Sequence, residues 1–225
     1  MNATILTCAM VLLLAGCNVQ AEVHIGSDHA KPRLVVGITV DQMRADYLTR
    51  FGAWEDVSSP ATFGEGGFRR MVEEGFVCRD HHFGYAPTYT GPGHASIYTG
   101  TTPTVHGILA NDWYDRTSSS SVYCASDASV KGVSGEGVDM DGLLLGASGQ
   151  MSPHRMLSTT LGDELKIATG GQAKVYGVSM KDRGAILPAG HGADGAFWFF
   201  GKDLGHFVSS TYYGEKLPSW VMKLN

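Results

Sequence analysis

The sequence predicts a layered α/β/α protein with a mostly parallel central sheet that is incomplete at the C-terminus. Three observations lead there. The run Arg33-Leu34-Val35-Val36-Gly37-Ile38-Thr39-Val40 is apolar and β-branched throughout, as a strand covered on both faces should be. Helix signals follow it, from Gln42 to about Arg50 and from Gly67 to Glu74. Short apolar runs then alternate with further helix signals to the end of the chain, the pattern of a layered α/β fold.

Each element has a local reason. Gly75 stands where the second helix should stop, and Phe76 to Arg79 reads as a strand. Thr90-Gly91-Pro92-Gly93-His94 opens another helix, with Thr90 as its cap and proline in its first turn. Residues 126–152 are rich in Gly, Ser and Asp and show no period, so they read as a long loop or insertion. Ser158 to Ala168 is helical, with Thr160 and Asp163 at capping-box spacing and Gly170 at its end. Lys174 to Ser179 reads as a buried strand. Ala196 to Phe200 and Phe207 to Tyr213 read as a hairpin pair, and a last helix begins near Trp220.

Composition narrows the functions. Apolar residues make up 43% of the 225 residues, enough for a sizeable core, and the 17% charged fraction argues against disorder and against a solvated coiled coil. The net charge is -5 with no basic run, so nucleic acid is not an expected partner.

The N-terminus reads as targeting rather than fold. The apolar run between Thr4 and Gly16 is too short to span a bilayer and resembles the hydrophobic region of an export signal. It ends in Leu14-Ala15-Gly16-Cys17, a lipoprotein-type box in which Cys17 would take a lipid anchor. Cleavage after Val19-Gln20-Ala21 is the alternative; both give an exported, periplasmic protein. The organisation expected is a signal over residues 1–17, a polar tether over 18–31 and a catalytic-type domain over 32–225. Cys78 and Cys124 are left as one pair, open either to a disulfide in an oxidising compartment or to two buried thiols.

Chemistry concentrates at three places: Asp41 after the first strand, the Thr90 helix start, and Lys181-Asp182-Arg183 after a later strand. Ligands of open α/β sheets bind beyond the carboxyl ends of strands, and a helix N-terminus attracts anions. Taken singly, Thr90 reads as an N-cap and Asp41 as a cap of the next helix. Asp139-Met140-Asp141-Gly142 lacks the later ligands of a calcium loop. Met43 removes the second aspartate of a haloacid-dehalogenase motif, and no Cys/Ser-x-Pro-x-Arg signature of a sulfatase is present.

Taken together, Val40-Asp41-Gln42-Met43-Arg44, Thr90-Gly91-Pro92-Gly93-His94, His106-Gly107-Ile108 with Asn111, and Lys181-Asp182-Arg183-Gly184-Ala185 resemble the threonine-nucleophile branch of the alkaline phosphatase superfamily. That branch holds bacterial alkaline phosphatases and nucleotide pyrophosphatase/phosphodiesterases. The resemblance runs from about Pro32 to the last residue. It implies that Thr90 is the nucleophile and a zinc contact, Asp41 a zinc ligand, Asn111 an amide donor to a phosphoryl oxygen, and Lys181 with Arg183 the cationic pair of the monoesterases. Thr88 is the nearest rival nucleophile but stands outside the Thr-x-Pro-x-His frame. The implied activity is hydrolysis of small phosphate monoesters through phosphothreonine, with two Zn²⁺ ions in the complete enzyme.

The family's other metal ligands lie in Asp-x-x-x-His and Asp-His segments, and neither occurs after Arg183. The chain therefore reads as the front part of such an enzyme, inactive by itself. A phosphodiesterase of the same superfamily, or a non-catalytic domain that binds phosphate or a partner, is the alternative. His94 and His106 are expected to serve structure, and His191 a loop hydrogen bond or a substrate-side role. The oligomeric state stays open.

Overall fold

A computed structural model of the chain describes residues 32–51, 66–135, 146–200 and 205–225. The signal with Cys17, the whole tether and part of the loop at 126–152 lie outside the described residues. Contacts divide the chain into two units, Met1–Ile38 and Thr39–Asn225. Within the first, residues 32–38 form no regular element and are exposed, with Leu34 at 78% and Ile38 at 70% accessibility. The expectation of a strand over 33–40 buried on both faces is not met. A strand is held by its neighbours' hydrogen bonds, and no ladder reaches this run among the described residues.

The second unit holds the regular structure. Helix α1 is Asp46–Arg50, shorter than the stretch from Gln42 because Gln42 takes a left-handed φ of 60° and forms a turn. Helix α2, Phe68–Glu74, ends at Gly75 as expected, and Arg69–Glu73 and Arg70–Glu74 pairs brace its surface. The strand expected at 76–79 is absent; irregular chain leads into α3, Thr90–Thr99. Thr90 is the first helical residue of α3 and Tyr89 the cap, a shift of one position from the sequence reading. Gly100, at φ 66°, closes α3, and the short α4, Pro103–His106, follows.

A hairpin not foreseen in the sequence comes next: β1, Asp112–Asp115, pairs antiparallel with β2, Ser120–Tyr123. Then come β3, Gly132–Val133, and α5, Leu161–Ala168, which has the expected Thr160–Asp163 capping box. Strand β4, Tyr176–Ser179, helix α6, Asp182–Ala189, and strand β5, Gly195–Phe200, form a β-α-β crossover. Strand β6, His206–Ser210, returns antiparallel beside β5, and α7, Ser219–Met222, is the last helix.

The larger sheet runs β3-β6-β5-β4. The α/β class holds, but among the described residues the sheet is mixed, with β4–β5 its one parallel pair. The β5–β6 hairpin matches expectation. Strand β4 is an edge, and Tyr176 and Val178 are exposed rather than buried. Gly177 turns inward: a Cβ there would lie 2.1 Å from the Ala185 carbonyl oxygen, so only glycine lets β4 approach α6 this closely.

The core fixes the two helices that matter for the site. Ala185, Ile186 and Leu187 of α6 pack with Ala95 of α3, Trp198 of β5 and Val208 of β6, joined by Ile108, Met151 and Met156. Burying one large apolar side chain is worth roughly 1.5–3 kcal/mol, so this cluster holds α3, α6 and the sheet in one register. Cys78 is exposed and Cys124 buried, and both are free thiols, which removes the disulfide alternative.

Candidate active site

The site is built at the N-terminus of α3. Pro92 falls in the first turn, where a helix has no use for its N–H. His94 Nδ1 bonds the Thr90 carbonyl oxygen at 2.9 Å, and Tyr85 donates its hydroxyl to the Pro92 carbonyl at 3.1 Å. The turn is therefore fastened from both sides. Thr90, half-buried, presents its hydroxyl outward and donates it to Asp41 Oδ2 at 3.0 Å. The positive end of the ten-residue helix lies behind that oxygen.

Asn111 closes one flank. Its Oδ1 accepts the Gly91 N–H at 2.7 Å, which leaves its Nδ2 hydrogens as the donors facing away. Its backbone carbonyl accepts the Cys124 N–H at 2.8 Å, so the β1–β2 hairpin anchors it. Space is tight at Gly91: a Cβ would sit 3.1 Å from the Ala110 carbonyl oxygen, 3.2 Å from Asn111 Oδ1 and 3.3 Å from Cys124 Sγ.

The other flank is the start of α6, which packs against α3. A Cβ on Gly184 would be 2.5 Å from Ser179 Oγ and 3.8 Å from His94 Nε2, so the first turns of the two helices are neighbours. Lys181 caps α6 and is exposed; Arg183, two residues on in the first turn, is half-buried. Arg183 Nη1 donates to the Tyr123 hydroxyl at 2.9 Å, and Tyr123 in turn donates to the Asp182 carboxylate. Arg183 Nε is buried without a partner. Burial works to lower the Arg183 pKa, but the bond to Tyr123 and the field of Asp182 prevail and raise it, so the guanidinium stays charged. Burial first, and then the Asp182 charge, push Tyr123 far above the ordinary tyrosine value. The same two causes push Cys124 up to about 12, leaving it a neutral thiol with no nucleophilic role.

The structure thus brings Asp41, Thr90 and Asn111 into one hydrogen-bonded cluster and sets the helix start carrying Lys181 and Arg183 beside it. Tyr123 and Asp182 are the members that sequence reading missed. An open cleft of about 520 Å³ lies beside Asp41, lined also by Val40, Met43, Tyr47, Phe51 and Phe68. His106 is fully buried, with Nε2 on Ser96 Oγ at 2.9 Å and Nδ1 accepting the Ile108 N–H at 3.1 Å. His191 Nε2 lies 2.9 Å from the Met156 carbonyl oxygen. Two oxygens, Asp41 Oδ2 and Thr90 Oγ1, lie side by side and could both be offered to a metal. Hard oxygen donors of this kind fit one side of a zinc site, and among the described residues no group of three or more His, Cys, Asp or Glu gathers around an ion.

A family model for type I phosphodiesterase / nucleotide pyrophosphatase matches residues 35–215. The chain belongs to this family. Two relatives are alkaline phosphatases by name: the chain is 47% identical over 195 residues to alkaline phosphatase PafA of Elizabethkingia meningoseptica, and 46% identical over 197 residues to alkaline phosphatase PhoV of Synechococcus elongatus. Each match takes in 87% of this chain but only 33% and 32% of the relatives, so the chain spans about a third of their length. The crystal structure of wild-type PafA superposes with a TM-score of 0.75 at 47% identity, covering 88% of this chain and 35% of that one. A second crystal structure, at TM-score 0.72 and 44% identity over 83% of this chain and 33% of that one, is of a PafA variant with one threonine, one asparagine, one lysine and one arginine replaced. Membership of the alkaline phosphatase superfamily and the α/β fold follow.

Proposed function

We propose that this chain carries the nucleophile end of a phosphoric monoester hydrolase, in which Thr90 takes the phosphoryl group and passes it to water. The observation that carries the reading is the Thr90 hydroxyl held at 3.0 Å by Asp41 on a helix N-terminus, with Asn111 fixed on the adjacent backbone N–H. In the PafA variant, the replaced threonine and asparagine are spaced as Thr90 and Asn111 are, and the replaced lysine and arginine stand two apart like Lys181 and Arg183. This supports the four assignments.

The roles follow from the chemistry of the groups. A transferring phosphoryl group spreads charge over three equatorial oxygens, so positioning and electrostatics do most of the work. Asn111 Nδ2 donates to one of those oxygens, the Arg183 fork to another, and Lys181 adds a compact charge. Asp41 orients the Thr90 oxygen. Zinc, when bound, would supply Lewis acidity that lowers the hydroxyl pKa and stabilises charge on the attacking and leaving oxygens; Asp41 and Thr90 are the ligands this chain would give it. The apolar run at the N-terminus and the box ending in Cys17 support an exported, periplasmic enzyme, lipid-anchored through Cys17 unless cleavage falls after Ala21.

A phosphate monoester carries one more negative charge than a diester, so two cations reward the monoester. Lys181→Ala/Arg183→Ala in the full-length enzyme should cut aryl phosphate turnover at least ~10²-fold and aryl diester turnover much less. Equal losses on both substrates would contradict the monoesterase assignment.

A further inference from the structure

Tyr123 lies outside the set of groups assigned to phosphate, yet it joins both sides of the site. It ends β2, opposite Asp112, and the next residue, Cys124, holds the Asn111 carbonyl through its N–H at 2.8 Å. Its hydroxyl donates to Asp182 and accepts from Arg183 Nη1 at 2.9 Å. The guanidinium carbon sits 5.9 Å from the centre of the tyrosine ring, within cation–π range. One short hairpin therefore sets the places of two oxygen-binding groups, Asn111 through its backbone and Arg183 through a side chain.

Asp182 is the competitor in this arrangement. It precedes Arg183 at the start of α6 and already accepts the Arg183 backbone N–H. A carboxylate next to a half-buried guanidinium normally closes onto it, because charge-assisted and bidentate Arg–carboxylate bonds are the strong ones. A guanidinium closed in that way has fewer donors left for a phosphoryl oxygen. In this structure the closure has not happened. Arg183 Nε is buried and unpartnered, and the one hydrogen bond of its side chain among the described residues goes to the neutral phenol.

We propose that Tyr123 is a positioning residue for Arg183: its hydroxyl engages the Asp182 carboxylate and so leaves the neighbouring guanidinium free to bind a phosphoryl oxygen. The inference rests on the assignment of Arg183 to phosphate made above. Tyr123 is suited to the task because it stays protonated at every working pH, held there by burial and by the Asp182 charge. It then offers a donor to the carboxylate and an acceptor to the guanidinium, and phenylalanine offers neither.

The test uses the zinc-loaded full-length enzyme with inorganic phosphate as the probe, titrated by calorimetry. The variants are Arg183→Ala, Tyr123→Phe, Asp182→Asn, and Tyr123→Phe/Asp182→Asn. Phenylalanine keeps the ring, its packing and the cation–π contact, so the fold is not the variable. Tyr123→Phe should weaken phosphate binding about tenfold, to the level of Arg183→Ala, since one charge-assisted contact is lost. Removing the competing charge as well should return affinity to within about threefold of wild type. A crystal structure of Tyr123→Phe should show Arg183 closed on Asp182. Wild-type affinity in Tyr123→Phe overturns the inference, and so does a double variant weaker than Tyr123→Phe, because two structural defects add instead of cancelling. Arg183→Ala binding phosphate as wild type does, or a wild-type chain with no measurable affinity, overturns the assignment beneath it.

Discussion

Gly91→Ala sets two effects of known sign against each other at the most crowded point of the site. Alanine in a helix is worth up to about 1 kcal/mol more than glycine. At Gly91 the added methyl would meet three atoms at 3.1, 3.2 and 3.3 Å, and none is the free end of a long side chain. The Ala110 carbonyl is backbone, Cys124 Sγ is buried, and Asn111 Oδ1 is already bonded to the Gly91 N–H at 2.7 Å. Overpacking of this kind costs about 1–3 kcal/mol, so the net change is a loss of roughly 0–2 kcal/mol, or up to about 8 °C in Tm for a domain of this size. The part of the obstruction that can yield is Asn111, which would move by a few tenths of an ångström and lose its alignment. Removing one such donor lowers turnover about 10²–10³-fold, and misplacing it should cost about tenfold or more. Gly93 is the control for stability, because a methyl there meets nothing within 4 Å. Thermal melts and aryl phosphate kinetics read both quantities. A Gly91→Ala protein that melts above wild type with unchanged kcat/KM would refute the reasoning.

Two further outcomes concern stability. Burial works to raise the Asp194 pKa, but bonds from Lys166 at 2.7 Å, the Val175 N–H and Lys174 outweigh it and bring it to about 2 from an ordinary 3.8. Asp163 is also held low, against burial, by N–H groups of Gly192, Thr160 and His191. Their contribution is present above the ordinary carboxylate range and is lost as pH falls from about 4 toward 2. Burial depresses His106, which adds a loss beginning below its ordinary 6.5. Urea midpoints should therefore fall as pH drops from 7 to 3, and the slope below pH 4 should flatten in Asp194→Asn; a flat wild-type profile would contradict this. Thr160→Ala removes the side-chain half of the α5 capping box and should cost about 1 kcal/mol, read from the shift in denaturant midpoint at constant m-value.

Elements with a local cause were legible in the sequence. The α5 capping box, the stop of α2 at Gly75 and the β5–β6 hairpin each depend on residues a few positions apart. The helix at Thr90 was found one residue off, because Thr90 looks like a cap while its hydroxyl is turned to Asp41 instead of its own N–H groups. The run at 33–40 was read from composition, but a strand also needs a partner, which composition does not supply. Hairpin β1–β2 escaped notice because Asp112-Trp113-Tyr114-Asp115 and Ser120-Ser121-Val122-Tyr123 alternate weakly and the first has charged ends. Tyr123 left no sequence signal: its partners are 59 and 60 residues away, and only the packing of α6 against α3 brings them together.

The claim that organises the site is that Thr90 carries the phosphoryl group. Acid quenching of the zinc-loaded full-length enzyme during turnover of an aryl phosphate, followed by peptide mass spectrometry, reads it directly. Phosphate is expected on the peptide from the α3 N-terminus, localised to Thr90 and absent in Thr90→Ala. Phosphate on Thr88 or Ser96, or persistence of the phosphopeptide in Thr90→Ala, would contradict the account.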